Sequence, residues 1–147
     1  MTLAEYLQYD HEVLRGKLAL LEELLPSSHA MPYTIARLTD TIVACLRRHI
    51  EEEEDLMALR RPAEAPALRA VHRELLARAE ILLELLDPCK AALFEPQTAV
   101  QAGYLIQDLR VHLAEEEIRT RPLFEEGAGP SGGGRDEDLV VNEIGAA

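Results

Sequence analysis

Histidines recur at positions where the sequence pattern would otherwise place an apolar residue. The four are His11, His49, His72 and His112. Two of them are followed four residues later by a glutamate, Glu53 after His49 and Glu116 after His112. Residues at i and i+4 project from the same face of a helix, so each pair can direct a nitrogen and an oxygen toward one point. Imidazole and carboxylate together are ligands for iron, manganese or zinc.

The segments that carry these histidines are predicted to be helices because their apolar residues recur at spacings of three and four. Prolines separate the segments, which cover about residues 2–25, 32–59, 66–86 and 96–122. The expected buried seam of the first helix is Leu3, Leu7, His11, Leu14, Leu18, Leu21 and Leu25. That of the second is Ile35, Leu38, Ile42, Cys45, His49, Glu52 or Glu53, Leu56 and Leu59. That of the third is Leu68, His72, Leu75, Ala79, Leu82 and Leu86. That of the fourth is Ala102, Leu105, Leu109, His112, Glu116, Arg119 and Leu123.

Four helices joined by short loops pack antiparallel, so we expect an all-α, up-down-up-down four-helix bundle. The histidines lie early in the first and third helices and late in the second and fourth. At a rise of about 1.5 Å per residue, all four then lie within about 10–15 Å of one end of the bundle. That end holds the loop between the second and third helices. The sequence therefore predicts a single polar layer in which histidines and glutamates meet.

A metal explains why these polar groups would be buried together. Without one, six buried imidazoles and carboxylates would destabilise the core by several kcal/mol. With one, their burial becomes binding free energy that is coupled to folding. Four imidazoles and two carboxylates are enough to hold two ions about 3.5–4 Å apart. The predicted ligands are His11, His49, Glu53, His72, His112 and Glu116.

The glutamate of the second helix has to be chosen from an acidic run, 51–55, of the kind that usually forms a solvated face. Strict heptad counting places Glu52 in the seam. The spacing of four residues that recurs between His112 and Glu116 favours Glu53 instead. We therefore predict Glu53 as the ligand.

Each predicted helix carries a short motif around its histidine: Asp10-His11-Glu12, His49-Ile50-Glu51-Glu52-Glu53, Val71-His72-Arg73-Glu74-Leu75 and His112-Leu113-Ala114-Glu115-Glu116. With these motifs the chain resembles the hemerythrin-like, HHE cation-binding domain family over about residues 1–126. The resemblance implies an antiparallel bundle around a non-haem di-iron centre, with Glu53 and Glu116 as the bridging carboxylates. On ligand chemistry alone, manganese or zinc are alternatives to iron.

One position departs from the oxygen-carrying hemerythrins, which have a second histidine one turn after the ligand of the third helix. That position is Leu76 here. The remaining set of four histidines and two glutamates is more similar to the di-iron domain of the repair-of-iron-centres proteins, which are tied to nitrosative and oxidative stress. A missing ligand leaves an open coordination position. This favours binding of oxygen species, nitric oxide or water over reversible oxygen storage.

Composition excludes several other functions. Lys and Arg number 15 against 27 Asp and Glu, giving a net charge of −12, so we expect neither nucleic acid nor an anionic membrane as a partner. Aromatic residues make up 4% of the chain, too few for a base-stacking surface. Two cysteines and an N-terminus without a basic region favour a reduced, cytoplasmic protein. Monomer and dimer both stay open.

The C-terminal residues 127–147 differ from the rest of the chain. Five glycines within 127–134 are typical of a flexible linker, and an acidic stretch follows. We expect a disordered tail, with a docking peptide built on Leu139, Val140, Val141 and Ile144 as the alternative. The domain itself is then 1–126.

Other polar residues admit a role beside the metals. Cys45 and Asp108 lie one turn before His49 and His112, and Tyr104 lies one turn before Asp108. Cys45 could act as a thiol near the metals, although a small core residue is the simpler interpretation. Asp108 or Tyr104 could orient a ligand. We expect His29 to lie on the surface.

The pattern supports three functional hypotheses. The first is a di-iron protein that binds or reacts with small ligands (O2, NO or peroxide) or handles iron under stress, with a reductase as a candidate partner. The second is a non-enzymatic iron, oxygen or redox sensor that signals to a protein partner. The third is a metal-free interaction bundle. The sequence assigns no catalytic side chain and no organic cofactor, and it leaves open whether the centre turns over.

Overall fold

The computed structural model describes residues 2–28, 30–89 and 95–125. Within them lie four α-helices and no strand: α1 is Leu3–Leu24, α2 is Pro32–Arg60, α3 is Ala65–Leu85 and α4 is Pro96–Glu125. A short 3-10 turn, Leu25–Ser27, follows α1. In this described part of the chain, no helix is both long enough and apolar enough to cross a membrane. The expectations for His29 and for the tail 127–147 lie outside these residues.

The helix starts follow from local chemistry. The side chain of Thr2 accepts a hydrogen bond of 3.1 Å from the backbone N–H of Glu5, which satisfies one of the free donors at the start of α1. Pro32 and Pro96 are the first residues of α2 and α4, where the missing N–H of proline costs nothing. These starts agree with the predicted ones to within about two residues.

Each helix packs against two others. α1 contacts α2 and α4, and α3 contacts the same two helices. Because consecutive helices are neighbours and the last closes against the first, the four form a ring around a common core. The predicted four-helix bundle is confirmed.

Two apolar clusters fill the bundle. The larger includes Leu14, Leu46, Leu75 and Leu113, and the smaller lies at one end and consists of Ala4, Leu7, Met57, Ala65, Leu68 and Phe124. Between these positions, every helix places a buried polar residue on its inward face. The polar layer that these residues form is thereby enclosed by apolar side chains on both sides.

The buried face of α4 differs in part from the predicted seam, because the helix is rotated about its axis. Its buried residues are Thr98, Ala102, Ile106, Leu109, Leu113, Glu116, Thr120 and Phe124. Ala102, Leu109 and Glu116 are where the pattern predicts them, but at four other turns the buried residue follows the predicted one by one position. His112 is one of those four, since Leu113 takes the core position beside it. A rotation of about 100° per residue moves His112 to the flank of the helix.

The end of α4 also differs. The predicted helix ends near Pro122, whereas α4 continues through this proline to Glu125. A proline in a helix removes one hydrogen bond and costs about 3 kcal/mol. Burial of Phe124 in the end cluster, where it is 5% exposed, offsets this by about 1.5–3 kcal/mol.

Candidate metal centre

Five polar side chains from all four helices form the polar layer, and none is more than 2% exposed. α1 and α3 contribute one residue each, as does α4, and α2 contributes two. The five are His11, His49, Glu53, His72 and Glu116. All five are predicted ligands, and the structure brings them together. Of the acidic run, Glu53, which the i+4 spacing favours, is buried in the layer, whereas Glu52 is half-buried.

Two histidines of the layer are in close contact. Nε2 of His11 lies 2.9 Å from Nε2 of His49, and the two rings meet edge to face. One ligand atom from each of these histidines and from Glu53 and Glu116 lies within 4.8 Å of the others. Metal–ligand bonds of about 2.1 Å place opposite ligands roughly 4.2 Å apart, so these four groups can close on one ion with small movements.

Glu53 lies between two histidines and presents one oxygen to each. Its Oε1 is 3.0 Å from Nε2 of His72, and its Oε2 is 3.7 Å from Nε2 of His49. The two carboxylate oxygens thus face imidazoles of different helices. This is the arrangement that a carboxylate needs in order to bridge two metal ions.

Glu116 is the most deeply buried member of the layer. Its Oε1 lies 3.4 Å from Nε2 of His11 and 3.6 Å from Nε2 of His72. Among the described residues, neither oxygen of Glu116 has a hydrogen-bond partner. A buried carboxylate whose oxygens accept no hydrogen bond is costly, and a cation would satisfy both oxygens.

A second set of carboxylates orients the three histidines from outside the layer. In each case Nδ1 of the ring donates to a carboxylate from a neighbouring helix, because an ionised carboxylate can only accept. Metal-bound histidines are usually held in this way. The pairs are His11 with Glu117 at 3.0 Å, His49 with Asp10 at 3.0 Å and His72 with Glu54 at 2.8 Å.

These outer contacts decide what the inner nitrogens can do. With the proton of each neutral ring on Nδ1, Nε2 of His11 and Nε2 of His49 are both acceptors. Two acceptors 2.9 Å apart repel one another unless a proton or a cation lies between them. The residues of the layer therefore fit a metal cation, which would satisfy these nitrogens together with the unpartnered oxygens of Glu116.

Electrostatics of the metal-free layer are consistent with shared protons. Burial and the nearby Glu116 raise the pKa of Glu53 to about 8. Burial also disfavours a charged Glu116, but the close approach of Glu53 and His11 holds its pKa well below the usual range. Burial alone would lower the pKa of His72, yet its contacts with Glu116 and Glu53 raise it to about 10. A bound cation would replace these protons.

The pKa values of the two close histidines, His11 and His49, shift in opposite directions. Burial lowers the pKa of His49, and the neighbouring ring of His11 lowers it further. The pKa of His11 is raised, since contact with Glu116 outweighs the effect of burial.

The model of the hemerythrin HHE cation-binding domain family matches residues 2–123. The chain belongs to this family. The match spans α1, α2 and α3 and nearly all of α4, so all five residues of the polar layer are within it. No curated protein and no solved structure matches the chain. The match to a cation-binding family agrees with the geometry of the layer, whose His and Glu side chains could hold a metal ion.

The structure does not bring His112, the sixth predicted ligand, into the polar layer. Its Nδ1 donates to the backbone carbonyl of Asp108 at 2.9 Å, and its Nε2 faces Glu74 at 3.9 Å. The side chain is 20% exposed. The reason is the rotation of α4, which points Leu113 inward. His112 lines a surface cavity of about 270 Å³ between α3 and α4.

The other residues singled out near the centre lie farther out. Tyr104 is 73% exposed, and the side chain of Asp108 faces Arg78 at 3.7 Å on the surface. Neither points toward the polar layer of the HHE domain. Cys45 is half-buried against the larger apolar cluster, as expected of a small core residue.

The histidine contacts of Asp10, Glu54 and Glu117 were not predicted from the sequence, although Asp10 belongs to one of the matching motifs. A signal exists, because each is adjacent in sequence to a residue of the layer: His11, Glu53 or Glu116. A neighbour in a helix is rotated by about 100°, which aims it at the adjoining helix. Knowing which histidine it meets there requires the packing of the bundle.

A small cavity of about 20 Å³ adjoins the layer between α1 and α4. It is lined by the apolar Ala4, Leu7 and Phe124 and by the polar Gln8, His11, Glu53, Glu117, Thr120 and Arg121. A volume of this size holds about one water-sized molecule. The HHE domain thus has a mostly apolar space, suited to a very small guest, directly beside two candidate ligands.

Proposed function

We propose that this HHE domain binds two non-haem iron ions and, at that centre, a small ligand such as O2, NO or peroxide. The observation that carries the proposal is the set of unsatisfied groups in the polar layer. Both oxygens of Glu116 lack hydrogen-bond partners among the described residues, and the Nε2 atoms of His11 and His49 face one another at 2.9 Å. Cation binding accounts for all of them at once.

The geometry around Glu53 supports two ions rather than one. One ion would use His11 and His49, and the other would use His72, with Glu53 and Glu116 shared between them. In this proposal His112 completes the second site, which requires its ring to leave the carbonyl of Asp108. Its position four residues before Glu116 on the same helix favours such a role.

A small ligand is favoured by the space and by the ligand count. The cavity of about 20 Å³ beside His11 and Glu53 has room for about one water-sized molecule. Leu76 replaces the additional histidine of oxygen carriers, so one coordination position stays free of protein. Bound iron would supply that open position and the electrons for reducing a ligand, while this chain's residues orient the site and limit access to it.

The cellular setting is part of the proposal. Iron handling or a response to nitrosative and oxidative stress, as in the repair-of-iron-centres proteins, suits an open site better than oxygen storage does. A cytoplasmic location suits the two free cysteines. A reductase partner, and the alternative of a sensor that signals to a protein, stay predictions, since the tail 127–147 lies outside the described residues.

Ligand binding is tested on the full chain loaded with ferrous ion without oxygen. NO, O2 and peroxide are added in turn while the absorption spectrum is recorded. We expect at least one of them to change the spectrum of the wild type. His11→Ala, which removes a ligand beside the cavity, should not show this change. A loaded wild type that responds to none of the three would contradict the small-ligand part of the proposal.

A further inference from the structure

We propose that Arg15 is a positioning residue of the centre: it holds Glu117 so that Glu117 can orient the ring of His11. The inference rests on the proposed metal site and adds a residue that does not touch the polar layer itself. Arg15 lies on α1 one turn after His11, and Glu117 lies on α4 directly after Glu116. The three side chains form a chain of contacts that leads from the surface to the layer.

The two oxygens of Glu117 have separate partners. Oε1 accepts from the guanidinium of Arg15 at 2.7 Å, and Oε2 accepts from Nδ1 of His11 at 3.0 Å. Hydrogen bonds between charged groups at such distances are shorter and stronger than neutral ones. One carboxylate is thus fixed at both ends, and its plane determines the direction from which His11 is held.

Glu117 would be poorly fixed without Arg15. The carboxylate is 20% exposed, so it can turn toward water, and holding a glutamate in one rotamer costs side-chain entropy. A second contact from the same helix that carries His11 restricts that turn. Arg15 itself is 33% exposed, and ion pairs at this exposure add little to folding stability. The contact is therefore better suited to orienting Glu117 than to stabilising the fold.

The histidine of α3 provides an internal comparison. Glu54 contacts Nδ1 of His72 at 2.8 Å, and it too is approached by an arginine of the helix that bears the histidine. This arginine, Arg69, lies 3.9 Å away and is 47% exposed, so its hold on the carboxylate is loose. The effect of Arg69→Gln should accordingly be smaller than that of Arg15→Gln.

Arg110 offers a matched control. It pairs with Glu22 at 2.7 Å, so this ion pair also joins α1 to α4, at the same distance as the pair of Arg15. Arg110→Gln therefore removes an equivalent link between the same helices, away from Glu117. Arg15→Lys is the conservative variant, because it keeps the charge and one of the donors.

The first readout uses the metal-free full chain and does not depend on iron. Nitrogen NMR of labelled histidine reports which ring nitrogen carries the proton, and the Nδ1–H of a buried ring bonded to a carboxylate gives a slowly exchanging signal. We expect Arg15→Gln to weaken or abolish this signal for His11. Arg110→Gln should leave it unchanged, and Arg15→Lys should restore part of it. A His11 signal that is the same in wild type and Arg15→Gln would overturn the proposal.

The second readout is the affinity for ferrous ion, measured in competition with a chelator. Loss of an outer partner of a metal-bound histidine typically weakens affinity by 10–100-fold, and we expect about tenfold for Arg15→Gln. Adding Arg15→Gln to Glu117→Gln should then cause no further loss, because the two act through one contact. Equal losses in Arg15→Gln and Arg110→Gln, or additive losses in the double variant, would contradict positioning. A wild type that binds no metal contradicts the proposed function instead, and the NMR result still decides the role of Arg15.

Discussion

Nε2 of His11 and Nε2 of His49 lie 2.9 Å apart, while the other nitrogen of each ring faces a carboxylate of a neighbouring helix. The outer contacts turn both inner nitrogens into acceptors, so the pair is frustrated unless something positive lies between them. This arrangement destabilises the metal-free bundle, and binding of a cation removes the destabilisation. The histidine pair therefore connects the folding of this HHE domain to its proposed activity.

The outer carboxylates should matter for metal affinity although they do not reach the centre. Asp10→Asn removes the charge that holds Nδ1 of His49, and we expect the affinity for ferrous ion to fall by about 10–100-fold. Competition with a chelator measures this change. Asp55→Asn is the control, because Asp55 is exposed on α2 two residues after Glu53 and carries the same charge. A loss of affinity in Asp10→Asn no larger than in Asp55→Asn would show that His49 does not need its partner.

His112 should distinguish the two halves of the proposed centre. Four residues of the layer already converge without it, so we expect His112→Ala to keep one ion per chain and to lose the second. His11→Ala, which removes a nitrogen from that convergent group, should weaken the binding of the first ion. Metal analysis of each purified variant gives the ratio. Two ions retained in His112→Ala would remove His112 from the ligand set.

The predicted seam of α2 is wrong at Leu38, Cys45 and Leu56, which are half-buried, because Thr39, Leu46 and Met57 take the core positions one residue later. The three-and-four spacing of leucines did predict the seams of α1 and α3. Every predicted seam residue of α3, from Leu68 to Leu86, is buried, and so are all those of α1 except Leu3, which is half-buried. α4 was ambiguous, because Leu105 and Ile106 are both apolar, as are Leu123 and Phe124. Only packing against α1 and α3 determines which residue of each pair is buried. The same packing places His112 on the flank of α4.

The predicted polar layer rested on the histidine heights and on the spacing of four residues that selects Glu53. Both depend only on helix geometry, which the sequence specifies. The partners of those residues could not be predicted in the same way. Which histidine Glu117 or Asp10 meets depends on how far one helix is rotated against the next, a property of the assembled bundle.

The cavity beside the layer should control access for the small ligand. Leu7→Phe adds volume at its wall, and we expect slower ligand binding to the iron-loaded protein with unchanged metal content. Stopped-flow absorption with the ligand that responds in the wild type measures the rate. Leu18→Phe is the control, since it overpacks the same helix at a buried site two turns from His11, at a similar cost of about 1–3 kcal/mol. Equal rates in the two variants would mean that ligands enter elsewhere.

The metal-free protein should lose stability as pH rises from 7 to 9. The raised pKa of Glu53, about 8, stabilises the fold at low pH, and this contribution is lost as pH rises through that value. The pKa of His72 is raised to about 10, which also stabilises the fold. This stabilisation is complete below pH 6.5, the ordinary pKa of histidine, and decreases as pH rises above that value. The lowered pKa values of His49 and Glu116 contribute no slope here, because their ordinary values lie below pH 7.

Urea unfolding at pH 7, 8 and 9 measures this dependence. Metal-loaded protein is the control, and its stability should change less, because the ion has displaced the protons in question. A metal-free protein whose free energy of unfolding is constant or increases over this range would contradict the shared-proton description of the layer.

The most direct test of the account is the iron content of the full chain. The protein is produced in iron-supplemented cells, purified without an affinity metal column and compared with Glu116→Gln, while circular dichroism monitors the bundle. Glu116→Gln keeps the volume of the side chain but removes its charge. Neither oxygen of Glu116 has a hydrogen-bond partner among the described residues. We predict two irons per chain in the wild type and a clear loss in Glu116→Gln with helicity retained. A stable wild-type bundle without bound metal, or equal iron in both proteins, would contradict the central claim.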